Sequence, residues 1–159
     1  MRIAIQSAGL IVALALAGCG GAPQPAPAVP ASSMQEAVAR AGDVTIRASV
    51  LPTVMLDERV ARGYGIERSD RSAMLLVSLR RGPEGQETAL PAQVLAKASD
   101  LRGRAQLVDM RELRSEGGLL DYVGTVEIDA PDTLRFDVQV TRADGATSSM
   151  QFTREFHPR

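Results

Sequence analysis

Residues 133–157 read TLRFDVQVTRADGATSSMQFTREFH. Leu134, Phe136, Val138 and Val140 alternate with Arg135, Asp137, Gln139 and Thr141, the period of a strand with one buried face. Further on, Met150, Phe152 and Phe156 share one face of a second strand. The loop between them decides whether the two apolar faces meet. A two-residue Asp144-Gly145 turn sets Phe136 opposite Thr153 and wastes the core face. A three-residue loop, Ala143-Asp144-Gly145 with Gly145 left-handed in a bulge, pairs Val138 with Met150 and Phe136 with Phe152. The spacing therefore predicts the odd loop. The same register puts Arg154 on the core face, either reaching solvent at the strand end or ion-paired at the rim.

The same period extends back to Asp43. Val44, Ile46, Ala48 and Val50 alternate with polar residues, and Ser72–Arg80 is nearly continuous apolar, as a strand covered on both faces is. Pro91–Ser99, Ala105–Arg114 and Leu119–Asp129 follow at regular spacing. Between Leu51 and Ser72, Asp57 is placed to N-cap a short helix carrying Val60 and Ala61, with Gly63 to end it. About seven strands without crossover helices predict an immunoglobulin-like antiparallel β-sandwich over 43–159, with one short helix in its first long connection. The five aromatics all follow residue 63, so the core rests on aliphatic side chains, with Phe136, Phe152 and Phe156 as anchors.

The N-terminus has a different character. Met1-Arg2 precedes an apolar run from Ile3 to Leu16, too short for a permanent membrane span, then Leu16-Ala17-Gly18-Cys19. This segment resembles the lipobox of bacterial lipoproteins. The resemblance implies cleavage after residue 18 and diacylglycerol thioether and acyl (palmitate) chains on Cys19, so that the membrane is a partner through the anchor. Gly20 rather than Asp at the second mature position implies the outer membrane, facing the periplasm. Pro23, Pro25, Pro27 and Pro30 make Gly20–Ala31 an extended spacer of about 35 Å, at roughly 3.1 Å per residue. Ser33-Met34-Gln35-Glu36 has capping-box spacing, and a short helix is expected through Arg40 before Gly42. Residues 19–42 thus form a lipidated tether.

The 159 residues carry a net charge of -1, one cysteine, one histidine and no asparagine. Such a balance disfavours nucleic acid as a partner. A single cysteine excludes an internal disulfide, and a single histidine two residues from the C-terminus is a poor general base. No catalytic residue, metal ligand set or cofactor is expected. Asp129 and Asp132 around Pro131 read as turn acceptors. Met55, Met74, Met110 and Met150 could ligate copper or fill core gaps. Asp109–Glu116 alternates in sign, as either edge-protecting cross-strand pairs or a charged recognition patch.

Val60–Ile66 with Arg68-Ser69, Leu75–Ser78, Arg111–Arg114 with Glu116-Gly117, and Leu134-Arg135-Phe136 resemble the bacterial family catalogued as domain of unknown function 4426. The resemblance covers about 43–157. It implies an exported protein of no established activity, with Tyr64, Arg68, Arg111, Glu112 and Arg114 at the family's polar positions. These five are the candidate interaction surface. The expected function is a non-enzymatic, lipid-anchored envelope module with a protein partner; the alternative is a periplasmic small-ligand or copper carrier.

Overall fold

The computed structural model describes residues 36–115 and 118–158. The signal segment, Cys19, the proline spacer, Ser33–Gln35 and the Glu116-Gly117 pair lie outside the described residues. Ten strands follow in chain order: β1 (Ala37–Ala41), β2 (Val44–Pro52), β3 (Ser72–Arg81), β4 (Thr88–Ala89), β5 (Ala92–Ser99), β6 (Ala105–Val108), β7 (Arg111–Arg114), β8 (Leu120–Glu127), β9 (Asp132–Arg142) and β10 (Thr147–Phe156). A 3-10 turn (Thr53–Met55) and one helix, α1 (Glu58–Gly63), occupy the β2–β3 connection.

All pairings are antiparallel. One sheet runs β1-β2-β3-β8-β7, with β4 added beside β3; the other runs β10-β9-β5-β6. Strands β2-β3-β8-β7 stand in the A-B-E-D order of an immunoglobulin sandwich, and β10-β9-β5 in the G-F-C order. The expected sandwich is therefore present. Its last hairpin has the register the loop parity requires, with Val138 opposite Met150 and Phe136 opposite Phe152. Gly145 has φ 82°, and its N–H donates to the Arg142 carbonyl. The β5–β6 hairpin repeats this loop at Leu101-Arg102-Gly103. Arg154 does face inward, its guanidinium 4.9 Å above the Phe152 ring and donating to the Thr153 carbonyl.

Two expectations need correction. The short helix through Arg40 is not formed over Ala37–Ala41, which is strand β1, paired with β2 so that Ala37, Ala39 and Ala41 face the core. A lone helix of that length is marginal, whereas the ladder satisfies its backbone against a formed strand. The Glu36 carboxylate lies 3.7 Å from Arg47 on β2. The sheet thus begins at Ala37, ahead of Asp43. The expected single strand Ala105–Arg114 is divided at Asp109-Met110, where the chain leaves one sheet (β6) for the other (β7). Sequence alternation continues across such a crossing, so periodicity alone does not reveal it.

The main core lies between the sheets and is aliphatic apart from Phe136, Phe156 and Tyr122, with Phe152 packed at its margin. Phe136 is fully buried and stacks on Phe152, with centroids 5.3 Å apart. Tyr122 on β8 spans the sandwich, its hydroxyl accepting the Ala92 N–H of β5 at 2.7 Å. Burial pushes the Tyr122 phenol above its ordinary pKa, the hydrogen bond from Ala92 opposing this.

A second apolar cluster covers the outer face of the larger sheet, where Leu56, Ala61 and Ile66 of the β2–β3 connection pack on Met74 and Val123. This is why Ser72–Arg80 reads as apolar on both faces. The fully buried Thr53 pins the connection: its hydroxyl donates to the Ser69 carbonyl, accepts the Ser69 N–H, and lies 2.6 Å from the Ser72 hydroxyl.

Candidate functional site

Helix α1 begins as its sequence requires. The Asp57 carboxylate accepts the Arg59 N–H at 2.8 Å and the Val60 N–H at 3.4 Å. Its end is set differently from expectation. Gly63 is the last helical residue, but the left-handed residue is Gly65, at φ 57°. The Ile66 N–H donates to Ala61 and the Gly65 N–H to Arg62, a Schellman closure that drops Ile66 into the second core beside Ala61. This closure turns the Tyr64 carbonyl outward, toward β7.

The five candidate residues do not form one cluster. Arg111 reaches from β7 and donates to the Tyr64 carbonyl, placing a cation at the helix C-terminus. Arg68 donates to the Val54 carbonyl at 2.8 Å and ties the two ends of the connection. Glu112 and Arg114 pair with each other at 2.9 Å, mostly exposed, on the opposite face of β7 from Arg111 and Leu113. An exposed pair of this kind contributes a few tenths of a kcal/mol at about that order. Tyr64 and Arg111 are brought together, whereas Arg68 and the Glu112–Arg114 pair stand apart.

Arg111 lies on the wall of a groove of about 840 Å³ at one end of the sandwich, which also takes in Asp100, Arg104, Glu127, Asp129 and Asp132. Sequence reasoning did not single out Asp100. Its carboxylate accepts the Arg102 N–H at 2.9 Å, the Arg104 N–H at 2.8 Å and the Arg104 guanidinium at 2.6 Å. The available signal was the Asp-x-x-Gly spacing of Asp100 and Gly103, an Asx-type loop. Burial would raise the Asp100 pKa, but the hydrogen bonds and charge of Arg104 outweigh it and hold the carboxyl below its ordinary value.

The sign of the pH dependence follows. A depressed carboxyl stabilises the fold above its unfolded pKa, and that contribution is lost as pH falls through the lower folded value. A proton titration followed at the Gly103 amide should show the β5–β6 loop loosening only in that acid range. Asp100→Asn should abolish the transition; an unchanged titration curve would exclude Asp100 as its source.

The other candidates are placed as follows. Asp132 accepts the Thr133 N–H at 2.8 Å, the turn role expected of it. His157 is exposed beyond β10, 3.8 Å from Glu155. Met74 belongs to the outer cluster, Met110 and Met150 pack against the main core, and Met55 is exposed. Among the described residues no group of three or more His, Cys, Asp or Glu is arranged to hold a metal ion, and no helix is long and apolar enough to cross a membrane.

A family model described as domain of unknown function (DUF4426) matches residues 33–159. No curated protein matches the chain. The crystal structure of a DUF4426 family protein from Pseudomonas aeruginosa PAO1 is similar, with a TM-score of 0.67 and 25% identity over 78% of this chain and 96% of that one. The family model takes in the whole sandwich with its β2–β3 connection, and the chain belongs to the DUF4426 family.

Proposed function

We propose that this protein is a lipid-anchored envelope lipoprotein whose sandwich is a non-enzymatic interaction module facing the periplasm. The anchor rests on Leu16-Ala17-Gly18-Cys19 and the proline spacer that follows. Several acyl chains at about 0.8 kcal/mol per buried methylene make such an anchor effectively permanent. The interaction reading is carried by one observation: the β5–β6 hairpin exposes Leu95, Leu101 and Leu107, the last two more than four-fifths accessible. Side chains of that size, held out on one hairpin, are what a partner surface would cover.

Cys19→Ala is expected to shift the protein from the membrane fraction to the soluble fraction or to leave it unprocessed. Unchanged partition of a processed chain would refute the anchor. Photo-crosslinking in intact cells from position 107 should yield a discrete adduct that position 133, elsewhere on the same sheet, does not. Equal capture from both positions would remove the support for a partner at the hairpin.

A second reading is favoured by the groove beside Arg111, which is large enough for a small polar ligand. In that reading the protein is a periplasmic carrier. Stoichiometric copper or an organic ligand in protein purified from its own envelope would establish it over the first.

A further inference from the structure

Strand β10 is an edge. It pairs with β9 over Thr147–Phe156, and among the described residues no strand pairs with its other side. Strand β1 of the facing sheet comes near β10, but its ladder is made with β2. The direction of the β10 backbone groups follows from the hairpin. Arg142 N–H donates to the Ala146 carbonyl, so Arg142 and Ala146 form a hydrogen-bonded pair. Such pairs alternate along an antiparallel ladder. Ser148, Met150, Phe152, Arg154 and Phe156 therefore bond toward β9, and Thr147, Ser149, Gln151, Thr153 and Glu155 present their N–H and C=O groups to the open side.

We propose that β10 pairs with β10 of a second copy, antiparallel and with the dyad at Gln151, joining the two four-stranded sheets into one. The argument for a second copy is self-complementarity. In this register Gln151 meets Gln151, Ser149 meets Thr153 and Thr147 meets Glu155, and each of these pairs consists of residues whose free backbone groups point at one another. On the inward face Met150 meets Phe152, both only part-buried where they pack at the margin of the core. Ser148 meets Arg154, so neither charge of the strand faces its like. Strand β10 contains no proline and no lysine of the kind that blunts open edges; the inward Arg154 guards only its last turn of pleat. The inference is independent of the anchoring and carrier readings above.

The test uses the full chain produced in its own cells. Paired residues of the hydrogen-bonded kind sit about 5.5 Å apart between Cα atoms, inside the disulfide range of about 4.4–6.8 Å. Gln151→Cys should therefore give a covalent homodimer under mild oxidation. Glu155→Cys should give none, because the dyad separates its two copies by about 27 Å at roughly 3.4 Å per residue. The unsubstituted chain reports any contribution from Cys19. Adding Thr153→Pro to Gln151→Cys removes an N–H on the open side while sparing the β9 ladder, and should abolish the dimer. Failure of Gln151→Cys to dimerise while its thiol reacts with a monofunctional maleimide would overturn the proposal. So would equal dimer from Glu155→Cys, or attachment of a different protein at position 151.

Discussion

Gly124→Val is expected to leave most of the chain unfolded at ambient temperature. Gly124 is buried on β8 opposite Leu75, on the core face of the larger sheet. The chain leaving β6 for β7 passes directly over it. A Cβ at this position would stand 2.6 Å from Val108 Cγ1, 2.8 Å from the Asp109 carbonyl oxygen and 3.0 Å from Met110 Sδ. The second of these is backbone, and it belongs to the segment that carries the chain between sheets. Relief therefore requires moving the crossing, which unseats the buried Val108 and the anchor of Arg111.

Overpacking of this kind typically costs about 1–3 kcal/mol for small additions, and a branched side chain against backbone lies above that range. Domains of this size hold only about 5–15 kcal/mol in total. Gly124→Ala should already lower Tm by several degrees, at about 3–6 °C per kcal/mol. Gly63→Ala provides the contrast, since its Cβ meets nothing within 4 Å and its φ is not positive; its Tm should hold or rise. Thermal unfolding of the three variants decides the matter. A Gly124→Ala chain as stable as Gly63→Ala would show that the crossing adjusts freely.

Phe136→Ala should be nearly as severe. Phe136 is 0% exposed on β9, with β10 on one side and Ala98 of β5 on the other. Its ring stacks on Phe152 at an interplanar angle of 13°. Removing it discards the transfer free energy of the ring and leaves a cavity between two sheets whose ladders hold them apart, a loss of about 3–5 kcal/mol. In an aliphatic core few neighbours are large enough to move into the space. Phe136→Leu keeps much of the volume and should cost less than half as much. Denaturant unfolding with unchanged slope would read both values, and a Phe136→Ala loss below about 1 kcal/mol would mean that the sheets close over the gap.

Several elements were legible because their determinants are local. The Ala143-Asp144-Gly145 loop fixes its own parity, and parity together with a period-two pattern leaves one register that joins Phe136 to Phe152. Asp57 caps α1 through the amides two and three residues further on, those of Arg59 and Val60. Ser72–Arg80 showed by its lack of alternation that something covers its outer face. The candidate site was legible only in part. Tyr64 and Arg111 were both singled out, but nothing near either residue in the chain indicates that the guanidinium of one meets the carbonyl of the other 47 positions away.

By itself, then, the sequence determined the all-β class, the last hairpin with its register, and the capped helix of the first connection. Each follows from backbone periodicity and turn chemistry acting between neighbours along the chain. The tertiary structure alone decided three things: that Ala37–Ala41 is a strand, that the chain changes sheets at Asp109, and that Gly124 must be bare. Those outcomes depend on which surface a segment meets. Ala37–Ala41 has sequence compatible with either helix or strand, and the open edge of β2 supplies the hydrogen-bond partners that select the second.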